Sequence, residues 1–240
     1  MTDVDHDSAA PKQVDDRGLR NLLMRVATAL VLIPFAIGVA YAGGWWWAVL
    51  VTAISVGLFI EWRMIVGAER SGWVAIGIVY AIAALAASVI VRLDPDWGFA
   101  ALMFVLLIVW VTDIGGYFAG RGIGGPKLWP RVSPKKTWAG AIGGLVLSLA
   151  TAACFAWSGI GRLGPLLLLA MVLTVASQLG DLFESAVKRK FGVKDSSHII
   201  PGHGGLLDRL DGYVFAIVAA ALIGLLHGGA DGVGRGLMVW

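Results

Sequence analysis

The chain of 240 residues predicts an all-α, polytopic integral membrane protein, a bundle of about seven transmembrane helices with its N-terminus in the cytoplasm. Three observations carry this. Hydrophobic residues make up 58% of the chain and charged residues only 15%, against roughly 25% charged in an ordinary soluble domain. The mean hydropathy is +0.80. Apolar stretches recur at close to the roughly 20 residues that a spanning helix needs. A soluble globule of this size cannot hide so much apolar surface, and a disordered chain would not carry it.

The elements follow in order. Residues 1–24 are polar and mixed in charge; they read as a short, disordered cytoplasmic tail, not as a leader to be cleaved. Residues 25–240 read as one membrane-embedded domain. Spans are expected at about 26–42, 45–62, 73–91, 98–115, 139–158, 165–184 and 211–227. All are rich in Ala, Val, Leu and Gly and too long for strands. A helix satisfies its own backbone in lipid. Trp45, Trp46, Trp47, Trp62, Trp73, Trp97, Trp138 and Trp157 fall near the expected ends, where indole rings favour the interface.

Orientation comes from the cations. With seven alternating spans, only Arg92, Arg162 and Arg235 of the 19 lysines and arginines lie outside. The rest lie inside, as positive-inside bias requires. That bias also accounts for the net charge of +3 and pI of 9.2, so nucleic acid is not an expected partner. The single cysteine, Cys154, excludes disulfides and Cys-rich metal sites. Gly116 and Gly120, like Gly140 and Gly144, have the spacing of close helix packing.

Two basic loops rich in Gly and Pro, at about 116–138 and 185–210, hold most of the polar chemistry. Loops of that length are usually functional or disordered. In the second, Asp181 and Glu184 sit three apart at the end of the sixth span, on a face shared with Ser177, Ser185 and Lys188. Asp208 and Asp211 sit three apart at the start of the seventh. If those helices are neighbours, carboxylates of both converge at the membrane surface. Clustered acids cannot all stay ionised without a cation among them. Oxygen-only ligands favour Mg²⁺, which takes one or two carboxylates plus substrate phosphates. The alternative is plain ion pairing of Asp181 and Asp208 with Arg189 and Arg209.

Lys188, Arg189, Lys190 and Lys194 precede Pro201-Gly202-His203-Gly204-Gly205. Glycines before a helix let backbone N–H groups approach an anion, so metal, cations and amides together suit a polyphosphate. His203 is a base, a phosphate donor or a turn residue; His198 reads as an ordinary loop histidine, and His227 as interfacial. In the first loop, Ser133-Pro134-Lys135-Lys136-Thr137 packs two hydroxyls and two ammonium groups ahead of a span. It suits lipid or nucleotide phosphate, with generic contact to anionic headgroups as the alternative. Its GRGIGG, residues 120–125, fits G-x-G-x-x-G only formally, since a membrane helix precedes it. Asp113 could supply a further acid. Glu61, beside Trp62 and Arg63, reads as structural.

The ordered run Ser185-Ala-Val-Lys188-Arg189, Lys194-Asp195, Pro201-Gly-His203-Gly204-Gly205 and Asp208-Arg209-Leu-Asp211 resembles the signature of the phosphatidate cytidylyltransferases, or CDP-diacylglycerol synthases. Gly180-Asp181-Leu-Phe-Glu184-Ser185 and Ser133-Pro-Lys-Lys-Thr137-Trp138 resemble the same family. The strong matching covers about 113–145 and 177–213. One departure is Ala139, where many members carry an acid; a carboxylate there is not essential in this chain.

The resemblance implies that CTP and phosphatidate give CDP-diacylglycerol and pyrophosphate, with Mg²⁺ and a second, monovalent cation as a further candidate. It implies a multi-pass protein of the cell (inner) membrane with its active site at the cytoplasmic face. Asp181 and Asp208 would hold the metal and Asp211 assist, with Glu184 and Asp113 as further candidates. Lys188 would join the catalytic acids. Ser185, Arg189, Lys194, His203, Gly204, Gly205 and Arg209 would bind substrate, with Ser133, Lys135, Lys136 and Thr137 on the lipid or the nucleotide. The partners are CTP, phosphatidate and the bilayer; a second copy of the chain is a candidate partner. The rival within the chemistry is a CTP-dependent polyprenol or lipid kinase, which releases CDP and not pyrophosphate. The rival of another class is an ion or solute transporter, which needs ionisable groups near the midplane. A phosphotransferase that consumes CDP-diacylglycerol would need an ordered Asp-Gly…Ala-Arg…Gly…Asp…Asp pattern, which is missing.

Overall fold

A computed structural model describes residues 16–197 and 204–240, with side chains at residue 28 and from residue 30 onward. The chain is an all-α bundle: α1 (Asp16–Ala42), α2 (Gly44–Val66), α3 (Ser71–Leu93), α4 (Gly98–Gly122), a hairpin of β1 (Lys127–Trp129) and β2 (Ser133–Thr137), then α5 (Trp138–Trp157), α6 (Leu163–Lys190), α7 (Leu207–Gly228) and α8 (Val233–Met238). The six helices α2 to α7 are each long and apolar enough to cross a membrane. They coincide with the second to seventh expected spans to within a few residues, except where α4 and α6 run on. The first expected span lies in α1, of which Leu30–Ala42 is a shorter apolar helix.

Several expectations are corrected. Residues 16–24 are helical, not tail, because Leu19, Leu22 and Leu23 continue a helical pattern into polar sequence. Residues 1–15 lie outside the described residues. The loop expected at 116–138 is helix as far as Gly122, and the rest holds the hairpin. The loop expected at 185–210 shrinks at both ends, since α6 runs to Lys190 and α7 starts at Leu207. Trp47 and Trp62 are core residues, 6% and 1% exposed, and not interfacial. Each indole N–H finds a carbonyl, Trp47 that of Ser88 at 2.9 Å and Trp62 that of Trp73 at 2.8 Å. Trp45, Trp46 and Trp157 are exposed, as expected for helix ends.

α4 is the central helix. Its Leu102, Phe104, Val105 and Ile108 are wholly buried against Leu166, Ala170 and Leu173 of α6, Ala216, Ile217 and Ala220 of α7, and Leu237 and Met238 of α8. A second core gathers around Trp62, which stacks on Tyr80 and Phe183 with ring centroids 5.5 and 6.0 Å apart.

Glycines and hydroxyls knit the bundle where lipid gives no hydrophobic drive. On α5, a Cβ at Gly140 would come within 2.8 Å of the Gly116 carbonyl, and one at Gly144 within 2.7 Å of that of Thr112. The expected Gly pairs therefore do mark close packing, of α4 on α5. Thr112 Oγ1 bonds Ser148 Oγ at 2.9 Å and Thr174 Oγ1 at 3.4 Å, joining α4, α5 and α6.

The two ends of the bundle differ. One gathers the end of α2, the starts of α3, α5 and α7, the ends of α4 and α6, and the hairpin. The other carries Arg92, which holds the carbonyls of Ala40 and Tyr41, and Asp94, which accepts from the N–H groups of Trp97 and Arg235 at 2.9 and 2.7 Å. His227 stacks there on Trp240 at 4.0 Å.

Candidate active site

The polar end of the bundle contains a cavity of about 550 Å³ between α4, α5, α6 and the hairpin. Its α4 wall comes from Asp113, Tyr117 and Arg121, one helical turn apart from each other, with Gly116 and Gly120 on the next ridge. These are i, i+4 neighbours. Arg121 Nη1 donates to the Tyr117 hydroxyl at 3.3 Å. The hairpin supplies Lys127, Leu128, Lys135 and Lys136; α5 supplies Gly140 and Ala141; α6 supplies Gln178 and Asp181. Gln178 Nε2 donates to the Ala141 carbonyl at 3.1 Å.

The hairpin is joined to α5 without a linker. Thr137 ends β2, and its Oγ1 caps α5 by accepting from Gly140 N–H at 3.1 Å, as a threonine N-cap should. Thr137 is thus a structural cap as well as a cavity residue. The next residue back, Lys136, forms an ion pair with Asp181 of α6. Asp181 also accepts from Ser185 Oγ at 3.3 Å.

Asp113, Asp181 and Asp211 are within electrostatic reach of one another, with Lys136 close to both Asp113 and Asp211 and Arg209 close to Asp113. Asp211 faces Asp181 because α6 and α7 touch backbone to backbone. A side chain at Gly180 would collide with the Asp211 carbonyl, and one at Gly212 would come within 2.5 Å of Ser177 Oγ.

Asp208 stands with different partners. Its Oδ1 lies 2.6 Å from Lys188 Nζ, and Lys188 also lies 2.6 Å from Glu184 Oε2. Asp208 further accepts the N–H groups of Ser196 and Gly205, both at 3.1 Å. Of the acids expected to converge, the structure brings Asp181 and Asp211 together, and Glu184 and Asp208 together around Lys188. Lys136 offsets Asp181, and Lys188 offsets Glu184 and Asp208. Among the described residues, no three His, Cys, Asp or Glu side chains are grouped so as to hold a metal ion unaided.

The remaining expected residues divide similarly. Ser133 is half-buried and Lys135 exposed in the hairpin. Arg189 Nη1 donates to the Val193 carbonyl at 3.4 Å. Lys194 and Arg209 are exposed. Lys190 lies over the Trp73 ring at 4.7 Å. Gly204 takes φ +84°, with its Cβ position 3.4 Å from Asp208 Oδ2. The Gly205 amide is directed at Asp208, so here it meets a carboxylate of the protein itself. His203 lies outside the described residues.

Five polar cavity residues were not among the expected site residues: Tyr117, Arg121, Lys127, Gln178 and Thr112. The signal for the first two was present, since they follow Asp113 at intervals of four. It needed α4 to continue past residue 115.

Comparison with known proteins places these residues in a wider group. The model of the Cytidylyltransferase family matches residues 68–226, which includes every residue that lines the cavity. A phosphatidate cytidylyltransferase of Brucella suis biovar 1 is 44% identical over 185 residues, 76% of this chain and 66% of the relative. The Bacillus subtilis protein of the same name is 39% identical over 153 residues, 62% of this chain and 56% of the relative. That of Haemophilus influenzae is 45% identical over 130 residues, 52% and 45% of the two chains. The chain thus spans two thirds or less of the length of these curated relatives.

Proposed function

Because the chain belongs to the cytidylyltransferase family, we propose that it transfers the cytidylyl group of CTP to phosphatidate, giving CDP-diacylglycerol and pyrophosphate. The observation that carries this reading is the cavity at the polar end, where carboxylates from two helices and lysines from a hairpin face one space. Two anionic reactants repel, and a site that joins them must offset that charge. A phosphate oxygen of the lipid attacks the α-phosphorus of CTP, and the bond to the β-phosphate oxygen breaks. The lipid phosphate is itself the nucleophile, so no covalent enzyme intermediate is needed.

The chain's own groups divide the work. Arg121, Lys127 and Lys135, whose charges line the cavity, bind phosphate oxygens. Lys136 does so on leaving Asp181. Ser133, Ser185, Arg189, Lys194 and Arg209 hold the outer phosphates of CTP. The site lies at a helix-end level of the bundle, where a lipid headgroup reaches it from the bilayer and a nucleotide from water.

The donor set suits Mg²⁺. It consists of oxygens, and its carboxylates are too few to cage an ion without substrate phosphates, the usual mode for this cation. Asp181, with Asp211 and Asp113 in electrostatic reach, would hold it; Asp208 would join on releasing Lys188. When bound, Mg²⁺ neutralises phosphate charge and polarises phosphorus–oxygen bonds.

The distribution of lysine and arginine supports a multi-pass protein of the inner membrane, with the site and the N-terminus on the cytoplasmic side. The test is incubation of the purified chain in detergent with labelled CTP, phosphatidate and Mg²⁺. CDP-diacylglycerol and pyrophosphate are expected in equal amounts. CDP with a phosphorylated lipid alcohol would assign a kinase instead, and no CTP-dependent product would refute the reading. Chelation with EDTA should abolish turnover and added Mg²⁺ restore it.

A further inference from the structure

We propose that Glu61 of α2 is a positioning residue for this site: it holds the two ends of the α6–α7 connection against the first turn of α7, and so fixes where Asp208 and Lys188 stand. The proposal rests on the functional reading above. Glu61 precedes the residues matched by the family, 68–226.

Glu61 is wholly buried. Its Oε1 accepts from Ser197 Oγ at 2.6 Å and from Leu206 N–H at 2.8 Å. Its Oε2 accepts from Ser196 Oγ at 2.9 Å and from Leu207 N–H at 2.7 Å. A buried carboxylate at a membrane helix end is costly unless its oxygens are satisfied, and here each oxygen takes two donors.

The position has a second consequence. The N-cap of α7 is Leu206, which has no side-chain oxygen to offer. Glu61 supplies that acceptor from another helix, and its charge faces the positive end of the α7 dipole. Asp208 grips the same two segments through Ser196 N–H and Gly205 N–H. Ser196 and Ser197 on one side, and Gly205 to Leu207 on the other, are therefore tied together by two carboxylates. Gly205 lies between them. A Cβ there would collide with Ser196 Oγ and come within 2.6 Å of Glu61 Oε2.

The chain of contacts ends in the site. Asp208 shares itself between Ser196 and Lys188. A shift of Ser196 is therefore felt at Lys188 and Glu184. Shape alone does not meet the demand on Glu61, because each oxygen meets one backbone N–H. The amide nitrogen of a glutamine would face Leu206 N–H or Leu207 N–H, donor against donor.

The experiment compares the full chain with Glu61→Gln in detergent, by amide hydrogen exchange, thermal unfolding and CTP kinetics. Exchange should rise about tenfold or more in peptides covering 191–210 and stay unchanged in α4 and α5. If the competent arrangement becomes a minor fraction of the protein, the KM for CTP rises by about the inverse of that fraction while kcat changes little. The expected split is about tenfold in KM and less than about threefold in kcat. Exchange that rises evenly through all helices would make Glu61 a brace for the whole bundle and overturn the proposal, as would unchanged exchange and KM. Should Glu61→Gln not fold, the Ser196→Ala/Ser197→Ala double variant removes two of the four bonds and must show the same local exchange; its absence overturns the proposal. If the wild-type chain makes no CDP-diacylglycerol, the functional reading fails, while the exchange comparison still decides whether Glu61 holds the connection.

Discussion

Lys188 Nζ stands 2.6 Å from Asp208 Oδ1, and this contact ties the last turn of α6 to the first turn of α7. The same ammonium holds Glu184, which is 2% exposed. Lys188→Met leaves two carboxylates facing each other without their cation. Removing one partner of a buried pair costs about 3–5 kcal/mol. The variant should melt well below the wild type in detergent, and adding Glu184→Gln should recover part of the loss. An unchanged melting temperature would show that the bridge carries no stability.

Asp181→Asn separates chemistry from folding. Asp181 and Lys136 are 31% and 26% exposed at their side chains, and a pair that open to solvent contributes about 0–1 kcal/mol. Thermal unfolding should barely change. Cytidylyl transfer should fall by about 100-fold or more, the scale set by removing a preorganised charge at a transition state. Near-normal turnover of the folded variant would remove Asp181 from the site.

Gly180→Ala and Gly212→Ala push α6 away from α7, because the new methyl groups meet the Asp211 carbonyl and Ser177 Oγ. Overpacking of this kind costs about 1–3 kcal/mol. Turnover should fall with stability, since the same seam brings Asp211 up to Asp181. Gly164→Ala is the control: nothing lies within 4 Å of its Cβ position. If all three variants behave alike, the seam is not tight.

Thr112→Val deletes the hydroxyl shared with Ser148 and Thr174. Interhelical hydrogen bonds in membranes average about 0.6 kcal/mol each, so a loss of about 1 kcal/mol is expected in reversible unfolding from mixed micelles. No loss would mean that Ser148 and Thr174 satisfy each other when Thr112 is gone.

Much of this was legible in the chain. Lipid forces a spanning helix to be long and apolar, and α2, α3, α5 and α7 declare themselves by that rule alone. α4 hid its last turns because Gly116, Gly120 and Gly122 read as loop; that the helix runs on depends on a neighbour, α5, that local pattern does not reveal. The hairpin is short and polar, with no alternating apolar face to announce it. Asp181 and Asp211 were found together because each sits at the tip of a recognisable span. The hold of Glu61 on Ser196 spans 135 residues of sequence, and no local spacing links such positions. Trp47 and Trp62 misled because an indole at a helix end can turn inward when a carbonyl accepts its N–H.

Where α4 crosses α5, main chain faces main chain, and the back of the cavity is built from atoms that every amino acid shares. Substitution can only add bulk there and has nothing to trim. A descendant of this chain that came to accept a larger headgroup would have to reshape residues 127–137, leaving the helical crossing as the fixed gauge against which all such experiments are made.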